Sequence, residues 1–72
     1  MYSSKFPKLL NQKEVALIIR KSEAWLERQR WKEEGIPYLK IGRNVRYQED
    51  DVLRFLEEQP KIKTYSWRNN DE

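Results

Sequence analysis

The sequence predicts one small α+β domain whose elements follow the order helix, helix, hairpin, helix. Apolar residues recur at helical spacing in residues 12–19, 23–34 and 50–59, whereas they alternate with polar residues between 38 and 48. Glycines and prolines separate these segments. With 72 residues, of which 38% are hydrophobic, the chain has enough apolar surface for one modest core and no second domain.

The domain is expected over residues 9–59. Residues 1–8 show no periodicity and contain a proline, so we expect a flexible arm there. The pair Gln59-Pro60 ends the last helical pattern, because proline cannot continue a helix. Residues 60–72, with Tyr65 and Trp67 among polar neighbours, are therefore expected to form a tail.

Cap signals define the first two helices. Asn11 stands before the first helical pattern and Glu14 follows three residues later, which is the spacing of a capping box and predicts a helix from Gln12 to Ile19. Ser22 is a favourable N-cap for a second helix over residues 23–34. Three residues, 20–22, then connect the two helices, a spacing typical of a helix-turn-helix.

The rest of the pattern predicts a hairpin and a closing helix. Gly35 and Pro37 end the second helix, and the hairpin should turn near Gly42 and Asn44, which tolerate positive φ. Asp50 is the expected N-cap of the third helix. We expect the half-buried face of the hairpin to hold the apolar residues of the alternation, Leu39, Ile41, Val45 and Tyr47.

Composition excludes several classes of function. The chain has no cysteine and no histidine, which excludes disulfides, cysteine zinc sites and Ser/His or Cys/His catalysis. Neighbouring carboxylates such as Asp50-Asp51 diverge by about 100° on a helix and do not converge on a substrate. We therefore expect no enzyme, no cofactor, no metal site and no small-molecule substrate.

No segment is expected to enter a membrane. The longest apolar run, Val15 to Ile19, is far shorter than the roughly 18 residues that span a bilayer. The first eight residues do not resemble a signal peptide. The chain is therefore expected to be cytoplasmic, and associated with the nucleoid if it binds DNA.

Charge is distributed unevenly along the chain. The net charge is +3, but residues 20–47 hold eight Lys or Arg against four Glu, while residues 48–59 hold five acids against one Arg. A positive lobe steers large anions to one side of a protein. Double-stranded DNA is the partner that this distribution and the helix-turn-helix spacing favour.

Several short segments follow one another along the chain: Leu9-Leu10, Glu14-Val15-Ala16, Ser22, Gly35-Ile36-Pro37, Lys40-Ile41-Gly42-Arg43, Val45-Arg46-Tyr47 and Asp51-Val52. In their order and spacing, over about residues 9–57, the chain resembles the excisionase-like, MerR-type winged helix-turn-helix proteins. This resemblance implies a second helix, residues 23–34, in the major groove and a wing, residues 38–48, on the flanking backbone or minor groove. Family members include phage and plasmid excisionases and regulators of integrase genes, so it also implies an integrase partner and self-association on adjacent sites.

The second helix is predicted to carry the base contacts. Arg28 is our first choice, because arginine reads guanine bidentately. Ala24 suits a thymine methyl group, while Glu23 suits either a cytosine amino group or the helix dipole. Trp25 and Trp31 either fill the core, as tryptophan more often does, or lie against DNA. The set predicted from this helix is Ser22, Glu23, Ala24, Trp25, Glu27, Arg28, Trp31 and Lys32.

The hairpin is predicted to grip the phosphate backbone. Arg43 and Arg46 lie at and just after its tip, where a small fold has no structural need for a cation. The alternative for the hairpin is that charges on its edge strands prevent aggregation. The alternative for the second helix is that its charges only form a solvated surface. The set predicted from the wing is Lys40, Arg43, Asn44 and Arg46.

The sequence thus predicts a sequence-specific DNA-binding protein of a phage or mobile element, either an excisionase or a small transcriptional regulator. A protein-interaction module, such as an adaptor or antirepressor with the same fold, is the alternative. The two differ in salt dependence, since phosphate contacts weaken as salt rises.

Overall fold

The computed structural model describes residues 8–62. The predicted arm, apart from Lys8, and the tail beyond Ile62 lie outside the described residues. The observed order confirms the predicted one and adds a short first strand. The elements are β1 (Leu9–Leu10), α1 (Gln12–Ile19), α2 (Glu23–Trp31), β2 (Leu39–Ile41), β3 (Asn44–Gln48) and α3 (Glu49–Glu57).

Helix α1 has the predicted bounds, and its capping box is complete. The backbone N–H of Glu14 donates to Asn11 Oδ1 at 2.8 Å, and the backbone N–H of Asn11 donates to Glu14 Oε1 at 2.8 Å. The helix ends at Arg20, which is left-handed with φ 60° and ψ 42°. The backbone N–H groups of Arg20 and Lys21 both bond to the carbonyl oxygen of Ala16, so the turn toward α2 uses the end of α1 as its anchor.

Helix α2 starts at Glu23 as predicted but ends at Trp31, three residues before the predicted end at Glu34. We expected Gly35 to be the first residue beyond the helix, but Glu33 takes the left-handed conformation, with φ 61°. The N–H of Glu33 then donates to the carbonyl of Arg30, and the N–H of Glu34 donates to the carbonyl of Gln29. This pair of bonds is a Schellman closure, which ends the helix before the glycine is reached.

The three strands form an antiparallel sheet in the order β1-β3-β2. Strand β1 was not predicted, because two residues are too short to show a period. Its Leu10 pairs with Tyr47 and its Leu9 with Gln48. The hairpin between β2 and β3 turns on two residues, Gly42 and Arg43, and Gly42 has φ 64°.

The predicted buried face of the hairpin is wrong in part. Residue pairs directly opposite each other share a face, and here Leu39 pairs with Arg46 and Ile41 with Asn44. A two-residue turn therefore moves Leu39 and Ile41 to the face opposite Tyr47. Both are correspondingly exposed, by 40% and 51%, whereas Tyr47 is 1% exposed.

Helix α3 follows β3 without a loop and starts one residue before the predicted N-cap. Gln48 is the N-cap and makes no side-chain cap bond, so the assignment of Asp50 to this position was wrong. The N–H of Glu49 instead donates to the carbonyl of Lys8, just before β1. Because α3 begins at Glu49, Asp50 lies inside the first turn of the helix. The helix dipole stabilises a negative charge there.

One core holds the elements together. It includes residues from β1, from β3 and from all three helices, and Tyr47 of the central strand is its largest fully buried side chain. No buried polar side-chain atom in residues 8–62 lacks a partner. The buried residues are Leu10, Val15, Ala16, Leu26, Ile36, Tyr47 and Val52.

Candidate nucleic-acid interface

Helix α2 buries one side and leaves the other open. Leu26 is 1% exposed, while Gln29 and Arg30 beside it are half-buried. Residues three or four apart lie in line along a helix, so Ala24, Arg28 and Trp31 form one exposed row on the side away from the core. We call this row the outer stripe.

The two tryptophans of α2 occupy different environments. Trp25 is half-buried and packs against the core, in keeping with its structural interpretation. Trp31 is 86% exposed, so the interpretation of this residue as core is wrong. An indole this exposed is accessible to a binding partner.

Arg28 belongs to the outer stripe, and Lys21 and Lys32 lie on one side of it. Lys21 Nζ, in the turn before α2, lies 5.3 Å from the centroid of the Trp25 ring, which is within cation–π range. Arg28 within the helix and Lys32 just after it are exposed. Lys32 follows Arg28 by four residues, so these two cations lie one turn apart.

The opposite side of the outer stripe is acidic. Glu23 and Glu27 are four residues apart, and both accept hydrogen bonds from the side chain of Gln12, the first residue of α1. Gln12 Nε2 donates to Glu23 Oε1 at 2.9 Å and to Glu27 Oε2 at 3.0 Å. The predicted contacts Glu23 and Glu27 are thus brought together, on a different side of α2 from Arg28 and Lys32.

Arg30 joins this acidic side to the sheet, a role that was not predicted for it. Its Nη1 donates to Gln12 Oε1 at 2.8 Å and to the hydroxyl oxygen of Tyr47 at 2.7 Å. Its guanidinium carbon also lies 5.7 Å from the ring centroid of Tyr38. The only sequence signal was its spacing, since Glu23, Glu27 and Arg30 fall in one row of α2.

Ser22 is occupied as the N-cap of α2. The backbone N–H of Trp25 donates to Ser22 Oγ at 3.0 Å, which confirms the predicted cap. The hydroxyl group keeps its own proton, and it is exposed at the start of the helix. Its geometry is therefore compatible with both a structural role and a hydrogen bond to a phosphate.

The four predicted wing residues do not share a face. Arg43 is exposed in the turn, and Asn44 is exposed at the start of β3. Lys40 pairs with Val45 and so lies on the face of Tyr47, while Arg46 lies on the opposite face with Leu39. The Arg46 guanidinium Nη1 donates to the carbonyl of Val45 at 2.8 Å, which ties this side chain to its own strand.

Comparison with known families gives a match that includes the whole fold. A family model described as a helix-turn-helix domain matches residues 9–60, from the first residue of β1 to just beyond α3. The comparison with curated proteins finds no match. Among the described residues, no helix is long and apolar enough to cross a membrane.

Proposed function

Because this chain belongs to the family of helix-turn-helix domains, we propose that it binds double-stranded DNA sequence-specifically, with α2 in the major groove. The observation that supports this best is the outer stripe, where Ala24, Arg28 and Trp31 remain exposed while Leu26 anchors the helix from behind. In this arrangement Arg28 reads a guanine and Ala24 contacts a thymine methyl group. Trp31, further along α2, lies against sugar or a second methyl group.

The wing supplies contacts to the phosphate backbone beside the groove. Arg43 is exposed at the turn, and Lys40 and Asn44 are exposed on either side of it. Arg46 is half-buried and bonded to the Val45 carbonyl, so its contribution to phosphate binding is the smaller one. Contacts of this kind set affinity and orientation rather than sequence preference.

Selection of bound fragments from random DNA, followed by titrations at several salt concentrations, tests the proposal. Arg43→Ala should weaken binding to all sequences alike and reduce the salt slope by about 0.9, the value for one phosphate contact. Arg28→Ala should instead relax the preference at one base pair. A protein that selects no sequence, or variants that leave both quantities unchanged, would contradict the proposal.

The matched control is Arg54→Ala in α3. It removes the same charge from an exposed side chain whose ion pair with Asp51, 3.2 Å long, is on the protein surface. Because exposed pairs contribute little stability, the variant should fold normally. Its salt slope should equal that of the wild type if the effect of Arg43 comes from contact rather than from net charge.

The biological role that we propose is that of an excisionase or a small transcriptional regulator of a phage or mobile element, which implies a location on the nucleoid. A single domain of this size contacts few base pairs, so adjacent copies and, for an excisionase, an integrase would complete the assembly. A bending assay on the selected site separates the two roles. A strong bend at repeated sites favours recombination, and an unbent site within a promoter favours regulation.

The exposed indole of Trp31 favours one alternative, a protein-interaction module. Tryptophan is enriched among the residues that contribute most to protein interfaces, and an 86% exposed Trp31 has the accessibility that such a role needs. Salt dependence distinguishes the candidates, because an apolar protein contact lacks the steep loss of affinity that follows counterion release from DNA.

A further inference from the structure

A single side-chain amide connects three elements of the domain. Through its nitrogen, Gln12 in α1 donates to Glu23 and Glu27 of α2, and through its oxygen it accepts from Arg30, which also donates to Tyr47 of β3. We call these five residues the Gln12 network. No other side chain in the described part of the chain is hydrogen-bonded to three side chains of α2.

The chemistry of its partners fixes the orientation of the Gln12 amide. An amide turned by 180° would point its oxygen at two carboxylates and its NH₂ group at the Arg30 guanidinium. Both contacts would then be repulsive. The observed orientation is therefore the only one that satisfies all partners, and it holds both carboxylates and the guanidinium in place at once.

We propose that Gln12 is a positioning residue for base recognition, and that the carboxylates it holds read a cytosine amino group in the major groove. This inference depends on the proposed DNA-binding function. Gln12 Nε2 occupies one oxygen of each carboxylate, which leaves Glu23 Oε2 and Glu27 Oε1 as acceptors. A carboxylate oxygen is the acceptor that suits the cytosine N4 amino group.

Electrostatics gives the reason that these carboxylates need a fixed partner. Two glutamates four residues apart on a helix repel each other, and free side chains would rotate apart. The shared amide donor offsets that repulsion, and Arg30 places a positive charge on the far side of the same amide. Preorganised acceptors lose less conformational entropy on binding than mobile ones, so their contribution to discrimination is larger.

The position of the network also couples the groove-binding helix to the wing. Arg30 contacts the hydroxyl group of Tyr47 in the strand that follows the turn, and Tyr47 pairs in turn with β1. Gln12 thus acts on α2 from α1 and, through Arg30, on the strand that carries Arg46. Loss of the amide is expected to change where α2 lies relative to the bases more than how well the core packs, since the carboxylate bonds are exposed.

The test measures discrimination rather than affinity alone. The selected DNA site and a panel of single-base replacements are titrated with the wild type and with Gln12→Leu, which keeps the size of the side chain and removes its polar atoms. Discrimination is the affinity for the selected site divided by the affinity for a probe with one base pair replaced. We expect Gln12→Leu to lower this ratio about tenfold at one C·G pair and to leave it unchanged at the pair that Arg28 reads. Glu27→Gln should lose discrimination at the same pair.

Lys13→Ala is the matched control, since Lys13 is the exposed neighbour of Gln12 on α1. A loss of affinity by the same factor on every probe would show a purely structural role and overturn the inference, because a smaller folded fraction does not change a ratio of affinities. Unchanged discrimination in Gln12→Leu would overturn it as well. A wild type without any sequence preference would instead contradict the proposed function itself.

Gln12→Glu gives a second, independent outcome. This variant keeps an acceptor for Arg30 but replaces the donor of Glu23 and Glu27 with a third negative charge, so it should lose the same cytosine preference as Gln12→Leu. Retained preference in Gln12→Glu would mean that the carboxylates need no donor, and the assignment of Gln12 would be wrong.

Discussion

Arg30 Nη1 donates to the hydroxyl oxygen of Tyr47 at 2.7 Å, which links α2 to the central strand of the sheet through a single bond. The ring of Tyr47 is fully buried, and its centroid lies 6.2 Å from that of Tyr38, which also faces the guanidinium of Arg30. The bond therefore joins the helix proposed to read bases to the strand that leads from the wing back into the core.

Removing the hydroxyl group should lower stability without opening a cavity. We expect Tyr47→Phe to lose about 1 kcal/mol in free energy of unfolding, because the partly buried Arg30 loses an acceptor while the ring stays in place. Urea denaturation measures the change. Tyr38→Phe is the control, since the 42% exposed Tyr38 contacts Arg30 through its ring. Equal losses in both variants would contradict the argument.

Glycine should stabilise the domain at each of the two left-handed residues that follow helices α1 and α2. Arg20 and Glu33 are left-handed, with φ 60° and 61°, and this conformation costs a residue with a Cβ roughly 1 kcal/mol or more. Part of the gain is offset by the larger freedom of glycine in the unfolded chain. We therefore expect about 0.5–1 kcal/mol from Arg20→Gly and from Glu33→Gly, measured as a higher urea midpoint at an unchanged slope.

Arg20→Ala separates backbone strain from charge. It removes the same charge as Arg20→Gly but retains a Cβ in the left-handed conformation, so we expect no gain in stability. A gain of similar size in Arg20→Ala would show that electrostatic repulsion between Arg20 and its neighbours, rather than φ, limits the wild type.

The register of the hairpin makes a prediction that the alternating sequence pattern alone would not make. Threonine keeps the β-branched shape of valine and isoleucine but adds a hydroxyl group. Val45 lies on the face of Tyr47 and packs against the core, so Val45→Thr should cost about 1–2 kcal/mol. Ile41→Thr, on the exposed face, should cost about 0.5 kcal/mol or less. Similar costs in thermal or urea unfolding would contradict the observed register.

Features of this fold that depend on local interactions can be predicted from the sequence, whereas features that depend on tertiary contacts or on turn length cannot. The start of α1 followed from Asn11 and Glu14, whose interaction is local and is indicated directly by their spacing. The end of α2 did not, because Glu33 and Gly35 both have positive φ, at 61° and 86°, and the sequence pattern favours only the glycine as the left-handed residue that ends a helix. In the hairpin, the turn length determines which face each residue occupies, and a pattern of alternation does not reveal that length.

The candidate site was predicted as a set of exposed residues but not as a network. Arg28 was expected to face outward and is exposed, while Leu26 on the other side of the helix is buried, because a helical period determines both positions. Arg30, by contrast, meets Gln12 and Tyr47 across 18 and 17 residues of chain. Contacts at such separations arise from the tertiary fold, and no local spacing indicates them.

Replacement of Trp31 should separate binding from stability. The indole is 86% exposed at the end of α2, so Trp31→Ala should change the free energy of unfolding by no more than about 0.5 kcal/mol. If the outer stripe lies in the major groove, affinity for the selected DNA should fall by about tenfold or more, since a tryptophan buried in an interface is commonly a large contributor. Trp25→Ala is the contrasting variant, because Trp25 packs against the core and its loss should destabilise the fold. Unchanged DNA affinity in a normally folded Trp31→Ala variant would remove the indole from the DNA interface and favour the protein-interaction alternative.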